Sequence, residues 1–391
     1  MTTTPYARAS PALPVSASKR SVLSTIHLWL GLSLGGLLVL FALSGSAMIF
    51  RFELERLVFP SLTHTSRQGA MHLDTCLAAA QAVNPQKTVR TLRLPTATDG
   101  TLEWLTIPAG QTTKEQATTV YTDPHTCTVL GTRGPGKDLM SFLVDFHHAL
   151  FLGRKAAWLQ SCIAATGIFM AISGLILWWP RTWAWSRLRP RASARPLHYF
   201  VGFWAMWPLL LATTTALYMT WRSGINTALL GQASAGSAAP KAGKGMSGKP
   251  TVPRPATAPL SLDEALLTAR SARPDATFRI LTLPQSSKAA ITITYQLPGD
   301  YGRAGNNQLS IAQTPDGTPH IASITELRYS SRTKRFLIGL SQIHYGEFGG
   351  MATRLLMCAT GFMPAVLFLS GLTMYRQRLR TREIMRKSLR R

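Results

Sequence analysis

Acidic residues are scarce in this chain: 17 Asp and Glu stand against 42 Lys and Arg in 391 residues, a formal net charge of +25. An excess of that size is the usual footprint of a nucleic-acid partner, but its distribution argues against one. Residues 1–21, 181–197 and 376–391 together hold 16 Lys/Arg and one acid, Glu383, whereas residues 51–146 carry nine of each sign. Cysteine is also sparse, with four in all and none in a CxxC or CxxCH arrangement. That absence excludes the usual covalent attachment of a c-type haem. Nucleotide-binding loops are missing too. Gly131, Gly134 and Gly136 have no strand-to-helix context, and Gly31, Gly35 and Gly36 fall inside an apolar run, where small residues serve packing.

What the chain has is long apolar stretches. Residues 22–50, 156–179, 198–221 and 351–375 are each long enough to cross a bilayer, which takes about 20 mostly apolar residues. Gln160 and Arg354 lie near span ends, where polar groups reach the interface, and Trp178, Trp179, Trp183 and Trp185 form an aromatic belt where the second run ends. The basic segments flanking these runs are cytoplasmic by the positive-inside rule, so both termini face the cytoplasm and the two long loops face outward. The first run exceeds a signal-peptide core and is read as retained. The loop from residue 222 to 343 carries 14 basic and six acidic residues, which reads either as linker lysines or as an attraction for anionic ligands.

The histidines carry the pattern that bears on function. His27 is followed by Gly31 and Arg51, and His198 by Gly202 and Arg222, at identical offsets. His147 is followed by Gly153 and Ser173-Gly174-Leu175, and His344 by Gly350 and Ser370-Gly371-Leu372, again at identical offsets. An ionisable residue in a membrane span turns inward to a partner, and neutral imidazole offers a lone pair to a metal. Two histidine pairs at matched depths therefore point to two haems held by coordination, with His27 and His198 on the cytoplasmic side and His147 and His344 on the outward side; the alternative is an interfacial histidine or one hydrogen-bonded to a neighbouring helix. The two sites lie within about a bilayer thickness of each other. His148 rivals His147, although the repeat alignment favours His147. Arg51 and Arg222 suit haem propionates or serve as ordinary interfacial anchors, and Arg154, Lys155 and Arg354 are similar candidates. His64, His72, His125 and His320 have no matched partners and read as surface residues. Asp123, His125 and Cys127 alternate as if on one face of a strand, a possible but weak metal set. Cys76 and Cys127 share the first outward loop, where an oxidising compartment permits a disulfide; Cys162 and Cys358 read as packed thiols within spans.

The outward loops repeat as well. Residues 73–95 and 262–284 align at one offset, matching Pro85 with Pro274, Arg90 with Arg279 and Leu94 with Leu283. Each loop opens on an amphipathic helical stretch (73–82; 262–271), followed by alternating strand-like segments (88–94, 101–107; 277–283, 290–295). Each is thus expected to be a small α+β module of one helix and about three strands. Residues 231–260, rich in Ala, Gly, Ser, Pro and Lys, have a linker composition. The expected order is a cytoplasmic tail (1–21), a first span (22–50), an outward module (51–146), a second span with its lead-in (147–180), a cytoplasmic loop (181–197), a third span (198–221), a flexible linker (222–260), a second outward module (261–343), a fourth span with its lead-in (344–375) and a basic cytoplasmic tail (376–391). Two helix–module–helix units in one orientation would make a four-helix transmembrane bundle with cofactors at its centre.

The segments His27-Leu-Trp-Leu-Gly31, Phe146-His147-His-Ala-Leu-Phe-Leu-Gly153, Ser173-Gly-Leu-Ile-Leu-Trp-Trp-Pro180 and Ile343-His344-Tyr-Gly-Glu-Phe-Gly-Gly350 together resemble the PepSY-associated transmembrane-helix family. These are bacterial iron-regulated inner-membrane proteins that include FoxB-type siderophore reductases. The resemblance runs from His27 to Arg378. It implies PepSY-like periplasmic modules, two b-type haems in a four-helix bundle, and reduction of ferric siderophores with Fe(II) released in the periplasm. It also favours His147 over His148 by the histidine-to-glycine spacing. The third run departs from the first, with Thr215-Ala216 where Ser44-Gly45 stand. The expected partners are a ferric siderophore, the lipid bilayer and a cytoplasmic or quinone electron donor, with no nucleic acid. A non-catalytic PepSY binding or regulatory protein is the alternative, or a siderophore or metal transporter component, which the absence of a broken span disfavours.

Overall fold

The protein is described by a computed structural model covering residues 17–65, 69–109, 116–134, 136, 138–179, 193–231, 260–284, 290–314 and 316–390. The basic 181–191 segment, Trp183 and Trp185, and nearly all of the 231–260 linker lie outside the described residues. The chain divides into two compact units, one of Met1–Ile49, Ala149–Trp221 and Arg354–Arg391, the other of Phe50–His148 and Arg222–Thr353.

The first unit is helical. Helices α1 (Ala17–Ile49), α6 (Ala157–Trp178), α7 (Ala194–Leu230) and α10 (Gly350–Ser388) are each long and apolar enough to cross a membrane. A helix closes all its backbone hydrogen bonds internally, which is what an apolar run in lipid requires. Two of them outrun the expected spans: α7 continues past residue 221, and α10 carries the basic tail as helix to Ser388. That tail is exposed throughout, so helix propensity alone suffices to continue it.

Small residues set the helix crossings. A Cβ on Gly361 of α10 would strike Ser46 and the Ala42 carbonyl of α1, and one on Gly167 of α6 would strike Thr213 of α7. Ser46 Oγ donates to the Cys358 carbonyl at 2.8 Å. On α7, Gly202 faces Leu367 of α10, Phe203 packs on Trp178 and Trp221 Nε1 donates to Ser161 of α6. Both α1 and α7 therefore touch both α6 and α10.

The second unit is built on one antiparallel sheet of eight strands in the order β4-β3-β2-β1-β5-β6-β7-β8. The strands are β1 (Lys87–Arg93), β2 (Leu102–Pro108), β3 (Thr118–Thr122), β4 (Val129–Arg133), β5 (Thr277–Thr282), β6 (Ile291–Gln296), β7 (Asn307–Gln313) and β8 (Pro319–Thr325). Each half thus has four strands rather than three, and the halves share a sheet. Pairing β1 with β5, Leu92 opposite Leu281, removes two edges that would otherwise stay open to other chains. Both strands bulge at an arginine, Arg90 between Val89 and Thr91 and Arg279 between Phe278 and Ile280.

Alternation sends Leu92, Trp104, Val120, Leu281, Ile293, Tyr295, Leu309 and Ile311 to one face, where α4 (Leu73–Val83) and α8 (Leu262–Ala272) cover them. The two helices cap each other. Asp74 accepts from the N–H groups of Leu262 and Asp263, and Asp263 accepts from those of Leu73 and Asp74, so each carboxylate meets the positive end of the other helix.

Cys76 of α4 and Cys127, in the turn before β4, form a disulfide with Cα atoms 4.5 Å apart. This closes a loop across a sequence separation of 51, which chain-entropy arguments value at about 4 kcal/mol. Both thiols should resist alkylation without reductant, and replacing both by serine should speed amide exchange in α4, β3 and β4. Ready alkylation of the native protein, or equal exchange in the two proteins, would contradict this. Four further helices were not legible as apolar periodicity: α2 (Arg51–Val58), α3 (Pro60–Thr63), α5 (Leu139–Ala149) and α9 (Arg332–Tyr345).

Candidate functional site

His27 of α1 and His198 of α7 hold the same local geometry. His27 Nδ1 lies 2.7 Å from Ser173 Oγ of α6, and His198 Nδ1 lies 2.9 Å from Ser370 Oγ of α10. Ser370 gives its own hydrogen to the Val366 carbonyl at 2.7 Å, and Ser173 leans to Met170. With the Leu367 carbonyl also at 3.1 Å, the Ser370 hydroxyl has backbone acceptors for its one hydrogen, an arrangement that suits it to accept from His198 Nδ1–H. That hydrogen bond selects the tautomer whose Nε2 keeps its lone pair. The next residue on each helix is glycine, and a Cβ at Gly174 or Gly371 would stand 3.4 or 3.6 Å from the imidazole Cε1 of His27 or His198.

The second histidine pair belongs to the other unit and sits on short helices rather than on spans. His147 is near the end of α5 and His344 near the end of α9. Their ring centroids are 6.4 Å apart with planes inclined by 37°. His148 is exposed while His147 is half-buried, and His148 packs edge-on against His147. The geometry therefore pairs His344 with His147. Both helices stop abruptly after their histidines. Gly346 caps α9 at φ +70°, a region that suits glycine, whereas Leu150 and Phe151 adopt positive φ after α5, at a cost of about 1 kcal/mol or more each.

Arg51 pairs with Glu55 at 2.9 Å, and Glu55 is buried against Arg133 as well; Arg222 and Lys155 are exposed. Arg354 is buried and donates to the Ile49 carbonyl at 2.7 Å. The side chain of Arg154 lies outside the described residues. His64 stands 3.8 Å from Asp99, His125 bonds the Ala70 carbonyl, and His72 and His320 are exposed.

The idea of a metal set at Asp123, His125 and Cys127 is corrected. Cys127 is spent in the disulfide, and Asp123 accepts from Thr65 and from the N–H groups of His125 and Thr126. The segment is a turn, not a strand, because the Asp123 side chain caps it. Burial would raise the Asp123 carboxyl, but those hydrogen bonds outweigh it and hold it below the usual range. Among the described residues no group of three or more His, Cys, Asp or Glu forms a metal cage. Sequence spacing located the histidines and the Ser-Gly motif but not their contact, which depends on helix rotation.

No curated protein matches the chain. The model of the PepSY-associated TM region matches residues 24–378, from the start of α1 past the apolar part of α10, and by that match the chain belongs to the PepSY-associated TM family.

Proposed function

We propose that the chain is a di-haem inner-membrane reductase that takes electrons from a cytoplasmic or quinone donor and reduces ferric siderophore on the periplasmic side, releasing Fe(II). The observation that carries this reading is the matched His–Ser arrangement, in which a serine of a neighbouring span holds Nδ1 of each imidazole and Nε2 is the nitrogen on offer to a metal. The other pair fits the same chemistry. The ring centres of His147 and His344 stand 6.4 Å apart, a spacing at which both imidazoles would hold one metal. A haem bound at either pair would supply reversible one-electron transfer.

The rest is the chain's own work. His27 and His198 would hold one group and His147 and His344 the other, with Ser173 and Ser370 orienting two of the four rings. The disulfide supports an oxidising, periplasmic location for the sheet unit, and the basic flanks support cytoplasmic termini. The mirrored strand order and the reciprocal Asp74 and Asp263 caps support two parallel helix–module–helix repeats. The substrate step is simple: one electron converts chelated Fe(III) to Fe(II), which hard oxygen donors hold far less tightly.

The test is anaerobic. Dithionite-reduced, desalted protein should be reoxidised by ferric siderophore, with ferrozine trapping the Fe(II). His344→Ala should keep the haem at His27 and His198 yet lose this activity. A variant as fast as the parent would remove the outward pair as the exit, and a colourless preparation from haem-replete cells would favour a non-catalytic binding protein.

A further inference from the structure

The turn between β6 and β7 gathers polar groups that the ligand pairs do not use. Gln296 Nε2 donates to the Asp300 carbonyl, and Arg279 Nη2 donates to Gln296 Oε1 at 3.3 Å. Two residues further on, Gly302 (φ +89°) stands so close to the Gln342 side chain that a Cβ would overlap it. Arg303 N–H donates to Glu347 at 3.0 Å, while the Arg303 guanidinium pairs with Glu53 and lies 5.8 Å from the centre of the Phe52 ring. Gln342 and Glu347 flank His344 in sequence, so this turn meets the stretch of chain that carries His344.

Two buried side-chain atoms bordering the turn find no hydrogen-bond partner among the described residues, Arg279 Nε and Gln342 Oε1. One is a donor on a cation and the other an acceptor, and an unmade buried bond costs about 1–3 kcal/mol. The nearby acids are already claimed: Glu53 by Arg303, Glu347 by the Arg303 N–H, and Glu103 by Arg93. Arg279 has no carboxylate partner among the described residues. Burial, and then the charge of Arg303, hold it below the usual arginine range.

We propose that Arg279, Gln342 and the Gly302–Arg303 turn form a carboxylate-binding subsite where the turn meets the segment that carries His344. The assignment rests on the reductase reading for its meaning but not for its geometry. The planar guanidinium takes a carboxylate oxygen on Nε–H, and Gln342 Oε1 accepts from a hydroxyl on the same ligand, as an α-hydroxycarboxylate provides. The carboxylate comes either from an arm of the arriving ferric chelate or from a propionate of the resident haem.

Full-length wild type, Arg279→Leu, Arg279→Lys and Gln342→Leu separate these sources, with gallium(III) citrate as a redox-inert probe. If the chelate supplies the carboxylate, Arg279→Leu weakens gallium citrate binding at least tenfold and leaves the haem potentials unchanged. If a propionate supplies it, probe binding is unchanged and the outward haem loses reduced form about tenfold at fixed poise, 59 mV for one electron. Arg279→Lys should retain part of either effect. Gln342→Leu should move the same readout as Arg279→Leu and decides the matter if that variant does not fold. Unchanged binding and potentials in both leucine variants would overturn the subsite. A colourless protein would sink the haem reading alone, and the subsite would then stand or fall on whether Arg279→Leu weakens probe binding.

Discussion

On the proposed di-haem reading, alanine at His27 or at His198 is expected to cut the haem-to-protein ratio from about two to about one, and alanine at His147 or His344 to remove the other haem. The first pair should respond most sharply. Its imidazoles are held by Ser173 and Ser370 and seated over Gly174 and Gly371. Ser173→Ala should be milder, because loss of an orienting hydrogen bond typically weakens metal affinity about 10–100-fold without deleting a ligand. Pyridine haemochrome assays on the four alanine variants decide the matter, and an unchanged ratio in all of them would refute the assignment. Retention of both haems in His147→Ala alone would transfer that role to His148.

Gly361→Val should be the most damaging single change in the helical unit. Its Cβ would meet the Ala42 backbone carbonyl as well as Ser46 Oγ, and backbone cannot rotate aside, so α1 and α10 must separate. Overpacking of this kind costs about 1–3 kcal/mol, to which the lost Ser46–Cys358 hydrogen bond adds about 1 kcal/mol. Gly36→Ala is the matched control. A Cβ there meets only the Phe368 ring at 3.7 Å, and alanine favours a helix over glycine by about 1 kcal/mol. Thermal unfolding in detergent should therefore rank Gly36→Ala at or above the parent and Gly361→Val well below it. Equal midpoints for the two variants would mean that α1 and α10 do not cross at Gly361.

The spans, the strands around Leu92 and Leu281, and the helices beginning at Leu73 and Leu262 were readable because each depends on local periodicity. The fourth strand of each half was not. β4 holds Gly131 and a register shift, and β8 is largely exposed, so neither shows the alternation that burial imposes. The shared sheet was invisible for another reason: pairing β1 with β5 is a contact across some 190 residues, and no local pattern encodes it. The same holds at the candidate site. Offsets picked out His27, His198, His147 and His344, but the serine contacts depend on helix rotation, and Arg279 and Gln342 stand out only once burial shows which polar atoms lack partners.

The exchanged caps have a consequence for how such a molecule is assembled. Under exchange of the two halves, Asp74 takes the place of Asp263 and Leu92 takes the place of Leu281, its own partner across the sheet. In an assembly of separate subunits this would be called an isologous contact, the self-complementary kind through which identical protomers close as a two-fold dimer. The chain therefore carries within one polypeptide the kind of interface that two copies of a half-length protein would make. Each half takes a carboxylate from the other at its helix start and leaves its β1 or β5 edge for the other to cover, so fragments cut between residues 231 and 260 should need each other to finish folding.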